Sequence, residues 1–321
     1  MKIQVGIVGY GNIGRGVEKA VLAAPDMELR AVFTRRDPKE VGSAVPALPL
    51  EAADNMTDEI DVMILCGGSA TDLAEHGPRF ASKFNIVDSF DTHAKIPEYM
   101  ATIDAVAKNT TAIVSSGWDP GLFSMMRLLF SAAVPDGANY TFWGPGVSQG
   151  HSDAVRRVEG VKNAVQYSIP KDDAVQAARS GDRPTLTARQ KHLRECYVVA
   201  ESGADTAAIE RTIVTMPDYF ADYDTTVTFI EEDEFARKHA GKMPHGGTVL
   251  HSGRTGEHEH VLEFGLKLES NPEFTGSVMV AYARAAARLS AEGIHGAKTV
   301  FDVPLVYLSE KDRAELIREL L

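Results

Sequence analysis

The chain has 321 residues, 44% of them hydrophobic and 24% charged, with a formal net charge of −12. That length exceeds one small core and suits two domains of a soluble globular protein. The acidic balance repels phosphate backbones and anionic lipid, which excludes nucleic acid and membrane as expected partners. Any anionic ligand has to be met by local Arg, Lys or backbone N–H groups.

In chain order, Ile3–Val8 reads as a strand buried on both faces and Gly14–Ala24 as a helix stopped by Pro25. Between them stands Gly9-Tyr10-Gly11-Asn12-Ile13-Gly14, a GxGxxG in the strand–turn–helix setting that gives the pattern meaning. The first glycine permits the tight turn, the second a close approach to pyrophosphate, the third close packing of helix on strand. The helix N-terminus offers free N–H groups to the anion. Leu29–Phe33 is a second strand, followed by Thr34-Arg35-Arg36. A dinucleotide site specific for NAD places an acid there for the ribose 2′-hydroxyl. A hydroxyl and two guanidiniums suit a 2′-phosphate instead and predict NADP. Solvated surface arginines, with Asp37 keeping NAD open, are the alternative. Val41–Asp58, broken by Pro46 and Pro49, has no assignable pattern.

Asp61–Cys66, Asn85–Asp88 and Thr111–Ser115 read as further strands, with helical spacing over Ala70–Lys83 and Pro97–Lys108. Strand and helix in alternation imply a parallel sheet, whose ligands bind beyond the carboxyl ends of the strands. Three such ends are informative: Cys66-Gly67-Gly68-Ser69, Asp88-Ser89-Phe90-Asp91 and Ser116-Gly117-Trp118-Asp119-Pro120. Cys66–Ser69, Ser89–Asp91 and Ser116–Pro120 of these ends join the glycine turn and Thr34–Arg36 as expected coenzyme contacts. Asp91 and Asp119 stand where two carboxylates could hold an ammonium group or accept its proton, or each could cap a following helix.

After Gly121 the style changes. Leu122–Val134 reads as one apolar helix, its Phe123, Met125, Met126, Leu128, Leu129 and Phe130 being core or interface packing. Asn139–Trp143, Val161–Ile169, Glu195–Ala200, Asp224–Phe229 and His258–Glu269 read as strands of a largely antiparallel second sheet, with glycine-rich turns at Gly144–Gly150 and Gly246–Gly256. Glu231–Glu234 suits a solvated turn and helix start. Asn271-Pro272-Glu273 opens a helix running to about Glu292, and a last helix follows Ser309, with Asp312 completing a weak capping box. The expected fold is α/β: an N-terminal Rossmann dinucleotide-binding domain over 1–120, an α+β substrate and dimerisation domain over 121–270, and a segment from about 271 to 321 packing back on the first.

Two cysteines, Cys66 and Cys196, make neither a disulfide framework nor a cysteine-rich zinc site and fit a reduced, cytoplasmic compartment. The apolar start is too short for a signal segment, and no long apolar run exists. His258 and His260 share a strand face, but no third ligand accompanies them, so no metal is expected.

The chain resembles meso-diaminopimelate dehydrogenases over nearly its whole length. Val8–Gly14, Thr34–Arg36, Gly68–Asp72 and Ser116–Gly121 carry the likeness in the first domain. Thr141–Gly146, Ser148–Ala154, Thr215–Phe220 and Met243–Gly247 carry it in the second, where unrelated dehydrogenases have no counterpart. The resemblance implies a homodimeric enzyme that deaminates the D-centre of meso-diaminopimelate and reduces NADP. It also implies roles: Asp91 and Asp119 hold the D-amino end, Trp143 and the Gln149-Gly150 turn contact the substrate, and Ser168, Arg194, His245 and Asn271 hold the distal L-end. Some relatives carry Thr where Ser168 stands. A doubly zwitterionic diacid needs anions and cations in separate places, and these residues supply both. The competing readings are a D-amino-acid dehydrogenase of broader range, a reductase of the dihydrodipicolinate or homoserine type, and a non-catalytic NADP sensor. The catalytic Lys or His motif that such a reductase needs after the sheet is missing, whereas Trp118-Asp119-Pro120-Gly121 is present, and a sensor has no use for Arg194, His245 and the paired aspartates.

Overall fold

The computed structural model describes residues 2–69, 71–242 and 244–321. Ala70 of the Gly68–Asp72 motif and Met243 of the Met243–Gly247 motif lie outside the described residues, as does Met1. The chain forms two compact units, Met1–Met125 with Pro272–Leu321, and Met126–Asn271.

The first unit opens with β1 (Ile3–Val8), α1 (Asn12–Ala23) and β2 (Met27–Thr34). The stretch without sequence pattern supplies β3 (Ala47–Pro49), a short edge strand beside β2. Pro49 is tolerated there because an edge strand has a side that needs no donor. Then come β4 (Val62–Leu65), α2 (Leu73–Ala81), β5 (Asn85–Asp88), α3 (Ile96–Val106) and β6 (Thr111–Ile113). α2 starts later than its apolar spacing suggests. The amides of Asp72 and Leu73 both turn back to the Gly68 carbonyl, at 2.9 and 3.1 Å, and close a loop there. α4 (Leu122–Ala133) carries the chain onward, with Phe123 and Phe130 buried but Leu128 and Leu129 about half exposed.

The second unit contains β7 (Asp136–Trp143), β8 (Gly146–Val147), α5 (Gln149–Arg156), β9 (Val161–Pro170), α6 (Asp172–Arg179), α7 (Ala188–Lys191) and β10 (His192–Ala200). It continues through α8 (Thr206–Val214), β11 (Asp224–Phe229), α9 (Glu232–Lys238), β12 (Gly247–Thr255) and β13 (His258–Leu266). These strands build two sheets rather than the single one expected: β11-β10-β9-β8, with a parallel β10–β11 pair, and the antiparallel β13-β12-β7. The glycine-rich turn read at Gly246–Gly256 is in fact β12, the central strand of the smaller sheet. Its glycines serve close packing: a Cβ on Gly253 would stand 2.7 Å from the Asp136 carbonyl of the neighbouring strand. Likewise the turn read at Gly144–Gly150 holds a two-residue strand and the start of α5.

The chain returns to the first unit with α10 (Asn271–Ala291), β14 (Gly296–Lys298) and α11 (Arg313–Leu320). The completed parallel sheet has the order β14-β6-β5-β4-β1-β2-β3. α10 buries Met279, Tyr282, Ala283 and Ala286 in the same apolar cluster as Val5, Ile7 and Val17. Glycine makes the approach possible: a Cβ on Gly16 would lie 2.4 Å from the Pro272 carbonyl, and one on Gly276 2.6 Å from the Val17 amide. Arg284 fixes the register with a two-bond fork onto Asp26, at 2.6 and 2.8 Å. α11 is capped by Asp312 with Glu315 in a reciprocal box, not by Ser309, which accepts from the Lys311 amide.

Candidate active site

The glycine turn is built as its spacing requires. Gly9 has φ +88°, open to a residue without a Cβ. A Cβ on Gly14 would meet the Gly9 carbonyl at 2.2 Å, so the third glycine closes helix on turn. A Cβ on Gly11 would have nothing within 4 Å. That open space, at the N-terminus of α1 where Asn12 and Ile13 begin the helix, fits a pyrophosphate. Tyr10 turns its side chain inward to Glu18 at 2.6 Å, and burial pushes its phenol up to about 12, so only its backbone faces the turn.

Beyond β2, Arg36 donates to the Tyr10 carbonyl and its own amide donates to Thr34 Oγ1 at 3.1 Å. Arg35 is 66% exposed and pairs through one corner of its guanidinium with Asp72 Oδ1 at 2.5 Å. Asp72 also takes the Gly68 amide at 3.0 Å and so shapes the loop after β4. Burial works against its charge, but the Gly68 amide and the Arg35 guanidinium prevail and hold its carboxyl below the usual range. Arg35 thus keeps donors for a phosphate, which fits the 2′-phosphate of NADP. In that loop the Cys66 side chain packs against the core and burial pushes its thiol up; its carbonyl carbon and the Gly67 amide lie 3.5 and 3.6 Å from where a Cβ on Gly9 would stand, beside the glycine turn.

The loops after β5 and β6 are tied together by Asp88. This carboxylate is fully buried and accepts from the Phe90 and Ser115 amides, both at 3.0 Å, and from Tyr99 Oη at 2.7 Å. Burial raises its affinity for a proton; those three donors oppose it. Its backbone carbonyl takes Ser116 Oγ at 2.8 Å. Phe90 stacks on Tyr99 at 4.1 Å, so its side chain packs the core while Ser89 and Asp91 lie outward. The Asp91 amide donates to Ser69 Oγ at 3.0 Å, which joins a third loop to the set. Gly117, Trp118, Asp119 and Pro120 form the turn into α4: the Gly117 and Trp118 carbonyls accept the Leu122 and Phe123 amides. Asp91 and Asp119 therefore sit beyond adjacent parallel strands at their carboxyl ends. Asp88 carries no motif; its sequence signal is an acid ending the apolar strand Ile86-Val87.

In the second unit Ser168 on β9 faces Arg194 on β10 in direct register. Both are buried, and the guanidinium donates to Ser168 Oγ. The ring of Tyr223 lies 4.1 Å from its central carbon. No carboxylate among the described residues pairs with Arg194, and its Nε is buried without a partner. Burial accordingly weakens its hold on its proton. Its positive field, after burial itself, helps push His151 and His192 down to about 3, so both are neutral imidazoles. A desolvated cation with neutral neighbours suits a ligand carboxylate.

Around it, the His245 amide donates to the Val147 carbonyl at 2.9 Å and its Nδ1 to the Gly246 carbonyl at 2.8 Å, so a second ring donor on Nε2 exists only in the imidazolium. Asn271 reaches Gln149 at 3.5 Å, at the start of α5. A Cβ on Gly150 would have nothing within 4 Å. Trp143 stacks on His192 at 5.4 Å and its amide donates to His192 Nε2 at 2.9 Å. His192, which no motif singles out, therefore orients the tryptophan.

Residues 117–270 match the family model described as the diaminopimelic acid dehydrogenase C-terminal domain. A meso-diaminopimelate D-dehydrogenase of Lysinibacillus sphaericus is 61% identical, with 99% of each chain covered. This chain belongs to the meso-diaminopimelate D-dehydrogenase family. The family's solved structures superpose closely. The diaminopimelate (DAP) dehydrogenase of C. glutamicum in complex with DAP shares 45% identity over 100% of this chain and 99% of that one, with a TM-score of 0.95. An engineered D-amino acid dehydrogenase bound to NADP+ shares 43% over the whole of both chains, with a TM-score of 0.90. Among the described residues no helix is long and apolar enough to cross a membrane, and no group of three or more His, Cys, Asp or Glu is arranged to hold a metal.

Proposed function

We propose that the chain catalyses the reversible, NADP-dependent oxidative deamination of meso-2,6-diaminopimelate at its D-centre. The D-carbon loses hydride and its amino group, water supplies the oxygen, and L-2-amino-6-oxopimelate, ammonia and NADPH result. The reverse direction fixes ammonia into the lysine and cell-wall precursor pathway. The observation that carries this reading is Arg194, a buried guanidinium without a carboxylate partner beside Ser168. The DAP and NADP+ complexes of the relatives support it.

When bound, NADP supplies the hydride acceptor; no protein nucleophile is needed. Gly9–Gly14 take the pyrophosphate and Thr34, Arg35 and Arg36 the 2′-phosphate. The loops of Cys66–Ser69, Ser89–Asp91 and Ser116–Pro120 border the rest of the coenzyme. Asp91 and Asp119 hold the D-ammonium and manage its proton, and one of them assists water against the imine. Trp143, Gln149 and Gly150 wall the substrate. Ser168, Arg194, His245 and Asn271 hold the L-end, Arg194 with parallel bonds to its carboxylate. The enzyme works as a cytoplasmic homodimer; the exposed Leu128 and Leu129 on α4 and the two free thiols support that part of the reading.

The test is a substrate panel followed by the absorbance of reduced nicotinamide: meso-, LL- and DD-diaminopimelate and simple D-amino acids, each with NADP and NAD. Turnover of the meso isomer with NADP, well above all others, is the expected result. Comparable rates on simple D-amino acids would favour a broad D-amino-acid dehydrogenase. Saturable NADP binding without any turnover would favour a sensor.

A further inference from the structure

On the larger sheet of the second unit, four strands place one residue each in a single row. Gly146 pairs with Ser168, Ser168 with Arg194, and Arg194 with Thr225. Laterally paired residues on neighbouring strands point to the same face. The deeper positions agree: Cys196 and Val198 of β10 and Val227 and Phe229 of β11 share one apolar cluster. Thr225 is thus the fourth member of the row that carries the distal-end residues. At the other end, a Cβ on Gly146 would stand 2.9 Å from His245 Cα, so His245 closes over the side-chain-free position.

Thr225 has an unusual hydroxyl. Its Oγ1 is buried and has no hydrogen-bond partner, and the same is true of the neighbouring Arg194 Nε. Buried polar groups in folded proteins are nearly always paired. Folding alone gives no reason for a hydroxyl here, because valine has the same shape and suits a strand as well. Two adjacent donors without acceptors, one of them cationic, match an incoming carboxylate.

We propose that Thr225 is a substrate-binding residue for the distal carboxylate, donating its hydroxyl hydrogen beside the Arg194 guanidinium. This rests on the meso-diaminopimelate reading of the site. It adds a determinant of substrate range that lies outside every motif of the chain, on a strand contributing no other distal-end residue.

The test compares Thr225→Val and Thr225→Ser with the unmodified enzyme. Steady-state KM is measured for meso-diaminopimelate. Competition against it is measured for D-2-aminopimelate, which keeps the distal carboxylate, and for D-norleucine, which lacks it. Thr225→Val is expected to raise KM for meso-diaminopimelate and weaken D-2-aminopimelate about tenfold each. D-norleucine and kcat should stay within about twofold, and Thr225→Ser should restore most of the loss. Unchanged KM in Thr225→Val, or equal weakening of all three compounds, overturns the assignment. If the unmodified enzyme does not turn over meso-diaminopimelate at all, the underlying reading has failed and the role of Thr225 falls with it.

Discussion

Arg194 makes a prediction with two readouts of opposite sign. Arg194 is only 3% exposed, and its guanidinium meets neutral partners alone: the Ser168 hydroxyl, and Tyr223, whose ring lies 4.1 Å from its central carbon and whose side chain also hydrogen-bonds it. Folding therefore desolvates a charge without pairing it, which costs about 2 kcal/mol before those contacts are counted. Arg194→Met keeps the hydrocarbon stem and removes the charge. It also forfeits the Ser168 bond and the ring contact, together worth about 1 kcal/mol. The balance favours the variant by about 1 kcal/mol in the absence of substrate. Catalysis should move the other way: losing a charge-assisted, two-bond grip on a buried carboxylate is worth about 3 kcal/mol, or roughly 150-fold in KM. Urea denaturation of the ligand-free protein and steady-state kinetics on meso-diaminopimelate measure the two effects. A variant that is less stable than the parent by more than about 2 kcal/mol would mean that the guanidinium is a structural strut. An unchanged KM would mean that no carboxylate meets it.

Two further predictions concern the first unit. The glycines of the turn should separate fold from binding: Gly14→Ala drives a Cβ into the Gly9 carbonyl and should cost about 2–3 kcal/mol of stability. Gly11→Ala, which meets nothing within 4 Å, should leave the melting temperature alone and weaken NADP binding at least about tenfold by titration calorimetry. Equal melting temperatures for both variants would refute the division of labour. The Asp26–Arg284 fork should make stability depend on pH. The hydrogen bonds from Arg284 hold the Asp26 carboxyl below its ordinary range against the effect of burial. A depressed carboxylate stabilises fully above its unfolded value, about 4, and that stabilisation is lost as pH falls through the folded value. Asp26→Asn should cost about 2 kcal/mol at pH 7, and its deficit should shrink as denaturation is repeated toward pH 3. A deficit constant across that range would mean that the pair acts through shape alone.

The two units differ in how much of them can be read without coordinates. In the first, each strand, its turn and its helix follow one another along the chain, so local apolar runs and the Gly9–Gly14 spacing locate both the sheet and the phosphate turn. What escapes there depends on burial. Asp88 looks like a strand-end loop residue until its carboxylate is seen to bind the loops after β5 and β6 together. Asp72 falls within a motif, yet its pairing with Arg35 crosses from the end of β4 to the end of β2. β3 is invisible because a three-residue edge strand ending in a proline has no periodicity to detect.

In the second unit the informative relation runs across strands. Gly146, Ser168, Arg194 and Thr225 are far apart in sequence and adjacent in the sheet, and only pairing register collects them. A family resemblance points to Ser168 and Arg194, but it does not reach Thr225, whose evidence is an unpartnered buried hydroxyl. The same reasoning explains β12. Glycines that signal turns locally become, inside a sheet, the positions where a neighbouring backbone comes too close for a Cβ, as Gly253 does against Asp136. Site residues on such strands answer to their lateral neighbours, so substitutions meant to alter substrate range should be chosen along the row and not along the chain.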